Sequence, residues 1–259
     1  MNWLSRISAA TLLSLPGFAA QAEDATIAVA ANFTAPVEQL VAGFEQQSGH
    51  SLRVSSGSTG SLYTLITQGA PFDLLIAADQ ARPKRLIDED LAVRGTRCTY
   101  AVGRLVLWSR DADRIGADPE PALRDRTLRH LAIANPDTAP YGAAAREVLE
   151  NLGVWSQLQS RLVRGMDIGQ TYHMVATANA ELGFVAASSL AAAGDEAGGS
   201  RWNVPDALHM PLAQDAVLLE RGRNNAAASG FLRYLGSEDA RGTIRRYGYE
   251  IAADAACGS

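Results

Sequence analysis

The residues best suited to hold a ligand lie in four short segments, each between an apolar run that predicts a strand and an amphipathic run that predicts a helix. These segments are residues 31–36, 57–61, 136–142 and 166–172. Backbone N–H groups at the start of a helix lack partners inside it and together carry about half a positive charge. None of the four segments contains a lysine or an arginine. They therefore predict a site of amides and hydroxyls, which suits a fully ionised anion that accepts hydrogen bonds and offers no proton.

Two of the segments add side-chain donors. Asn32 stands in the first, and Ser58 and Thr59 stand in the second between Gly57 and Gly60. The two glycines would let the backbone come close to a ligand. The same residue types are ordinary helix caps, so each of them alone also has a structural explanation. The second segment is neither a phosphate-binding loop nor a nucleophile elbow, because it lacks both G-x-x-x-x-G-K-S/T and G-x-S-x-G.

The rest of the chain predicts the elements that would position these segments. Short apolar runs at residues 26–30, 72–78, 131–134 and 182–186 are typical of buried parallel strands, and helical runs alternate with them. Residues 101–109 are apolar and rich in residues that favour strands, and residues 208–219 predict an extended, partly apolar return. The alternation predicts an α/β fold with mostly parallel sheets. Ligands of such folds lie beyond the carboxyl ends of the strands, which is where the four segments fall.

The composition excludes several classes of partner. The chain has 259 residues, of which 47% are hydrophobic and 20% charged, with a formal net charge of −5. This is too apolar for a disordered chain. Lys84 is the single lysine and no basic run is present, so nucleic acid and anionic membrane surfaces are poor partners. The four histidines share no metal-ligand spacing, and we expect no residue to bind a metal cation directly.

Residues 1–22 predict a cleavable signal peptide. Arg6 supplies the positive start, residues 7–18 are mostly apolar, and Ala20-Gln21-Ala22 is a cleavage motif, so we expect cleavage after Ala22. The alternative is a buried N-terminal helix. No later stretch is apolar enough over the length needed to span a bilayer. We therefore expect an exported, periplasmic monomer. In that oxidising compartment Cys98 and Cys257 can pair, and two free thiols are the alternative.

Longer motifs carry a resemblance to a known family. In order along the chain, the motifs are AVAANFTAPVEQLVAGFEQQSGH, VSSGSTGSLYTLITQGAPFDLLIAAD, NPDTAPYGAAAREVLENLGVW, LGFVAASSL and RYGYEI. They resemble the periplasmic molybdate-binding proteins of molybdate ABC importers, which are type II periplasmic binding proteins. The resemblance implies two α/β lobes joined by crossing strands, with the ligand in the cleft. Lobe I would comprise residues 23–102 and 216–259, and lobe II residues 103–215.

The resemblance also implies a function and a set of binding residues. Molybdate, and with it tungstate, would bind as the oxyanion without catalysis or a cofactor, and an inner-membrane ABC permease would receive it. The family's binding positions fall on Asn32, on Thr59 with Ser58 beside it, and on Tyr141 and Ile168, the last two mainly through backbone amides.

This chain departs from the family pattern at two of these positions. Asn32 replaces the serine of some members, and we expect its amide to donate instead. Ala186 stands where some members have a binding tyrosine, so Tyr141, or less favourably Tyr172, would replace that phenol. Ala31 is a further candidate contact.

Two other functions stay open on the sequence alone. The first keeps the fold and binds sulfate or another small oxyanion. Phosphate is disfavoured, because a protonated phosphate needs a carboxylate acceptor and the segments offer only Asp137 and Asp167. The second is a secreted serine-type hydrolase with Ser58 or Thr59 as nucleophile, for which the sequence offers no recognisable base or triad.

Overall fold

A computed structural model describes residues 22–251 and Cys257. The proposed signal peptide, except for Ala22, lies outside these residues. Within them the chain forms two five-stranded mixed sheets flanked by helices. The strands are β1 (Asp24–Ala30), β2 (Ser51–Gly57), β3 (Leu74–Ile76), β4 (Cys98–Gly103), β5 (Leu105–Ser109), β6 (Leu131–Ala134), β7 (Leu162–Gly165), β8 (Leu182–Ala186), β9 (Ser200–Asn203) and β10 (Leu212–Leu218).

The helices lie between these strands and after the last one. The described α-helices are α1 (Thr34–Ser48), α2 (Thr59–Thr67), α3 (Ala81–Asp88), α4 (Glu120–Arg124), α5 (Pro140–Asn151), α6 (Trp155–Leu158), α7 (Ile168–Ala176), α8 (Ala187–Ala193), α9 (Ala226–Leu235) and α10 (Glu238–Arg246). None of the helices in the described part of the chain has the length and hydropathy needed to cross a membrane.

The first sheet has the strand order β2-β1-β3-β10-β4. Strand β1 pairs in parallel with β2 and β3, and β10 runs antiparallel between β3 and β4. Helix α1 packs on this sheet through Val37, Leu40, Val41 and Phe44, which have the i, i+3, i+4, i+7 spacing of one helix face. The Phe44 ring meets Phe231 of α9 edge to face, with centroids 5.3 Å apart. The predicted amphipathic helix is confirmed.

The second sheet has the order β7-β6-β8-β5-β9. Strand β6 pairs in parallel with β7 and β8, while β5 runs antiparallel to β8 and β9. The apolar run over residues 101–109 contains parts of two strands. The run is interrupted at Arg104, so that β4 pairs in the first sheet and β5 in the second.

The chain crosses between the sheets twice. The first crossing is at Arg104, and the second lies between the end of β9 and the start of β10 at Leu212. The expected lobe boundary after residue 215 falls inside β10, and all of β10 pairs in the first sheet. The β10–β4 ladder has a register shift between Gln214 and Asp215.

A disulfide joins the start of β4 to the end of the chain in this structure. The Cys98 and Cys257 sulfurs are bonded, and their Cα atoms are 5.1 Å apart. Both cysteines are buried in the hydrophobic core of the first sheet, which also contains Tyr249 and Ile244. The bond therefore fixes the chain's end against the sheet that β1 also occupies.

Candidate functional site

A small, partly open cavity lies between the two sheets, with about 190 Å³ of empty space, part of which is continuous with solvent. It is bounded by the chain immediately after β1, β2, β6 and β7, which are the carboxyl ends of two neighbouring parallel strands in each sheet. All four segments singled out in the sequence reach it. The lining residues are Ala30, Ala31, Asn32, Gly57, Ser58, Thr59, Ala78, Ala139, Pro140, Tyr141, Asp167 and Ile168.

The first sheet contributes two hydroxyl groups at the start of α2. Thr59 is fully buried, and its Oγ1 accepts the N–H of Ala78 at 3.0 Å. Its own hydroxyl hydrogen stays available to a ligand. The Ser58 hydroxyl caps α2 by accepting the N–H of Ser61 at 3.2 Å, and it also shares a hydrogen bond of 2.7 Å with the Ser61 hydroxyl. Ser58 is thus a helix cap that also borders the cavity.

The second sheet contributes the starts of α5 and α7. Helix α5 begins with Pro140, which has no N–H, so Tyr141 provides its first backbone donor. Helix α7 begins at Ile168 after Asp167, whose Oδ1 accepts the N–H of Gln170 at 2.8 Å. No acceptor in the described residues pairs with the backbone N–H of Thr59, Tyr141 or Ile168. Three helix starts therefore offer unpaired amides to one cavity.

Asn32 is oriented differently from our expectation. Its Nδ2 donates to Gln214 Oε1 at 2.8 Å and to the Tyr249 hydroxyl at 2.9 Å. Both amide hydrogens are therefore used within the protein, and in this orientation Asn32 has no side-chain hydrogen left for a ligand.

Asn32 belongs to a set of six buried residues that we call the buried polar cluster. Its other members are Ser188, Gln214, Tyr100, Tyr141 and Tyr249. The sequence analysis did not predict this cluster. Two signals pointed towards it: a glutamine within the otherwise apolar start of β10, and the tyrosine of the terminal RYGYEI motif.

The hydrogen bonds of the cluster connect the two sheets beside the cavity. Gln214 Nε2 donates to the Tyr141 hydroxyl at 3.1 Å, and the Tyr100 hydroxyl donates to Gln214 Oε1 at 2.8 Å. Both the Ser188 and the Tyr249 hydroxyls donate to the Asn32 carbonyl, at 2.8 and 2.7 Å. Burial raises the pKa of all three tyrosines, so these phenols stay protonated.

The structure also locates the residues expected to supply a phenol. The Tyr141 hydroxyl belongs to the buried polar cluster, so this residue faces the cavity with its N–H group. Tyr172 does not line the cavity, because its ring stacks on Trp108 with centroids 5.2 Å apart and an interplanar angle of 10°. Ala186 ends β8 and precedes α8 without offering a side-chain donor. Ala31 lines the cavity, as expected.

Gly60 has a different role from the one predicted. Gly57 lines the cavity, but Gly60 instead donates its N–H to the Thr138 carbonyl of the second lobe at 2.8 Å. A Cβ atom on Gly60 would lie 2.7 Å from that carbonyl oxygen. Arg82 adds a longer contact across the cleft, from Nη2 to the Asp137 carbonyl at 3.3 Å.

The cavity wall contains no lysine or arginine among the described lining residues. Asp167 is the acidic residue among the described lining residues, and its Oδ1 accepts the N–H of Gln170 at 2.8 Å. Asp73 and Asp79 lie outside the wall and pair with Arg221 and Arg82, each at 2.5 Å. The described residues contain no group of three or more histidines, cysteines or carboxylates that could hold a metal ion. The positive potential at the cavity therefore comes from peptide dipoles.

Two mixed sheets, two crossings and a cavity at the strand ends define a two-lobe binding protein. Residues 25–250 match the family of bacterial extracellular solute-binding proteins, and the chain belongs to that family.

The chain is also similar to individual members of this family. The chain is 47% identical to the molybdate-binding protein ModA of Azotobacter vinelandii over 96% of this chain and 98% of the relative. It is 48% identical to ModA of Rhodobacter capsulatus, over 92% and 91% of the two chains. The solved Azotobacter vinelandii periplasmic molybdate-binding protein superposes with a TM-score of 0.84 at 35% identity, covering 88% of this chain and 99% of that one.

Proposed function

We propose that this protein binds molybdate in the cavity and delivers it to an ABC importer of the inner membrane. The observation that carries the proposal is the donor set: a small cavity bounded by helix starts and hydroxyls, without a lysine or arginine among its described lining residues. Two relatives with nearly half of their residues identical are named molybdate-binding proteins. The protein acts by binding and release, without a chemical step.

The proposed ligand-binding groups come from both lobes. From the first lobe they are the Thr59 hydroxyl and N–H, the backbone N–H of Asn32 and the Ser58 hydroxyl. From the second lobe they are the N–H groups of Tyr141 and Ile168. Hydrogen bonds to a charged acceptor in a dry cavity are about twice as strong as neutral ones. Closing the cleft brings both sets onto the same anion, as in other hinge-closing proteins.

Size and protonation state would select the ligand. Molybdate and tungstate have the same tetrahedral shape and charge, and both are larger than sulfate, so we propose that tungstate binds as well. Hydrogenphosphate carries a proton and needs an acceptor, whereas the amides and hydroxyls at the helix starts offer donors. Sulfate is the second candidate, and cavity size is the property that separates it from molybdate.

Calorimetric titration of the purified chain with molybdate, tungstate, sulfate and phosphate tests the proposal. We expect molybdate and tungstate to bind much more tightly than the other two. Molybdate at about a thousand times its Kd should stabilise the fold by about 4 kcal/mol. Equal binding of sulfate would refute the assignment to molybdate. Absence of binding by all four anions would refute the oxyanion site itself.

Thr59 provides the sharpest test of the site. Thr59→Val removes a donor to a charged ligand, which is worth about 1.5–3 kcal/mol, or roughly 10- to 150-fold in affinity. Thr59→Ser should retain most of the affinity, because it keeps the hydroxyl. Thr64→Val is the matched control on the same helix, since the Thr64 hydroxyl donates to the Gly60 carbonyl and lies outside the cavity wall. An equal loss in Thr59→Val and Thr64→Val would contradict the assignment.

Other properties follow from the same proposal. We propose that the protein is periplasmic after cleavage at Ala22, that it is a monomer, and that the Cys98–Cys257 disulfide is present in the mature chain. The lobes would divide where the chain crosses between the sheets, at Arg104 and before Leu212. Mass spectrometry of the exported protein, sedimentation and a thiol count under denaturing conditions test these statements.

A further inference from the structure

Gln214 connects the two walls of the cavity through one side-chain amide. It is fully buried on β10, next to the register shift between β10 and β4. Its Oε1 accepts from Asn32, which follows β1 of the first sheet, and its Nε2 donates to Tyr141, which begins α5 of the second. Gln214 itself does not line the cavity. It therefore touches both ligand-facing residues without facing the ligand.

The Asn32 amide presents its acceptor end to open space. Its two hydrogens are donated to Gln214 and Tyr249, and no described residue donates to its Oδ1. Among the described residues, the polar atoms that are both unpaired and fully enclosed by protein do not include this oxygen, so part of its surface is open. Asn32 lines both this cavity and the larger one next to it, and Oδ1 is the end of its amide that no described protein group binds. A carbonyl oxygen repels a fully ionised oxyanion.

Both amides can turn while the number of hydrogen bonds in the buried polar cluster stays the same. A half-turn of an amide exchanges its oxygen and nitrogen at nearly the same positions. After both have turned, Gln214 Nε2 donates to Asn32 Oδ1 and to the Tyr100 hydroxyl, whose hydrogen goes to the Ala77 carbonyl, already 3.1 Å away. The Tyr141 hydroxyl donates to Gln214 Oε1. The Tyr249 hydroxyl donates its hydrogen to Asn32 Oδ1 instead of to the Asn32 carbonyl, which keeps the hydrogen bond from Ser188. The number of hydrogen bonds stays the same because each phenol hydroxyl can either donate or accept.

Neither amide can turn alone. Turning Asn32 by itself would place its Oδ1 about where Nδ2 now lies, 2.8 Å from Gln214 Oε1, so that two acceptors face each other. Turning Gln214 by itself would place two NH₂ groups at the same separation. In a fully buried site either mismatch leaves polar groups unpaired, which is costly. The two amides are therefore coupled.

We propose that Gln214 is a positioning residue that sets which end of the Asn32 amide faces the ligand, and that a fully ionised oxyanion turns both amides together. This inference rests on the proposed function. In the turned state Asn32 adds two N–H donors to the site. In the unturned state it offers an acceptor, which suits a ligand that carries a proton. To bind a fully ionised oxyanion with these donors, Asn32 and Gln214 must therefore turn together.

Side-chain amide NMR of the uniformly ¹⁵N-labelled wild-type chain tests the coupling directly. The Asn32 and Gln214 NH₂ signals are assigned by their loss in Asn32→Ser and Gln214→Met. On saturation with molybdate we expect both pairs of signals to shift, because both change partners. Gln80 serves as an internal reference, since its Nε2 bonds to Thr99 and Asp215 outside the cluster. If the Asn32 signals move while those of Gln214 do not, the concerted turn is wrong.

Affinity measurements separate positioning from a structural role. With Asn32 present, Gln214→Met should weaken molybdate binding by about the worth of a donor to a charged ligand, roughly 10- to 150-fold. In the Asn32→Ser background the amide orientation no longer matters, and the same substitution should change affinity much less. Equal losses in both backgrounds would show that Gln214 only supports the fold. Gln80→Met is the control and should bind as the wild type does.

The outcomes also separate this inference from the proposed function. A wild-type chain that binds no molybdate overturns both. A wild-type chain that binds molybdate while its Gln214 signals stay unmoved overturns the amide proposal alone. The NMR measurement uses the wild-type fold for its decisive comparison, so it gives an answer even where a variant folds poorly.

Discussion

Substituting Gly60 with alanine should weaken ligand binding while leaving the unliganded fold intact. Gly60 lies in the first turn of α2, and its N–H donates to the Thr138 carbonyl across the cleft at 2.8 Å. Its backbone φ angle is not in the left-handed region, so alanine can adopt the conformation. The added methyl group would instead meet the other lobe, 2.7 Å from the Thr138 oxygen and 2.9 Å from its Cα.

The size of the effect follows from these contacts. Both are backbone atoms, which cannot turn aside as a flexible side chain would. Overpacking of this kind costs about 1–3 kcal/mol. The unliganded protein can relieve the overlap by opening at the two crossings, whereas the liganded protein must stay closed. The cost therefore falls on binding and corresponds to about 5- to 150-fold in Kd.

Calorimetry and thermal unfolding of the same preparations measure this effect. We expect Gly60→Ala to unfold at the wild-type temperature without molybdate and to bind molybdate more weakly. Gly242→Ala is the control, because its Cβ atom would approach nothing closer than Arg246 Nη1 at 4.0 Å and α10 lies outside the cavity wall. Unchanged affinity in Gly60→Ala would refute the closure argument. A fall in unliganded stability as large as the loss in binding would refute it equally.

Three further predictions concern stability. Burial raises the pKa of the three tyrosines of the buried polar cluster, so the unfolded chain loses their protons at a lower pH than the folded chain does. The free energy of unfolding, measured by urea titration, should therefore fall above pH 10 by about 4 kcal/mol per pH unit. A free energy that does not change with pH in this range would contradict their burial. Replacing Cys98 and Cys257 with serine opens a loop with a sequence separation of 159 residues. This should cost up to about 5 kcal/mol by the same measurement and leave molybdate affinity unchanged, because neither cysteine lines the cavity. Asp73→Ala should lower the free energy of unfolding by about 1–3 kcal/mol, because it leaves the N–H of Thr26 without its acceptor. The Arg221 side chain is 55% exposed and can be solvated by water, so the ion pair itself should add little. A loss no larger than that of an exposed pair such as Lys84–Asp88 would show that the Thr26 hydrogen bond contributes little.

The sequence predicted the site's backbone framework because that framework is local. Apolar runs followed by Ser58 or by Asp167 mark the end of a strand and the cap of the next helix within a few residues of each other. In an α/β fold such ends converge by topology, so the meeting of all four segments required no knowledge of long-range contacts. The family resemblance then added the division into two lobes.

The side-chain network could not be predicted in the same way. Asn32 and Tyr249 are 217 residues apart, and Asn32 and Gln214 are 182 apart. Nothing in the local pattern of either residue specifies its partner. The local pattern did not show the break at Arg104, because β4 and β5 are both largely buried and carry the same apolar character in two different sheets. The family resemblance alone placed a lobe boundary nearby, after residue 102. The contact between Gly60 and Thr138 likewise depends on how the lobes meet.

The position of β10 in the first sheet has a consequence for how the molecule is made. The second sheet uses strands from a single continuous stretch, β5 to β9, and can assemble as soon as that stretch is available. The first sheet needs β10 between β3 and β4, and the buried polar cluster needs Tyr249. Elements that close over long sequence separations form late. The second lobe should therefore fold before the first is complete. A chain that stops before Leu212 would lack β10 and Tyr249, and we expect it to bind no anion.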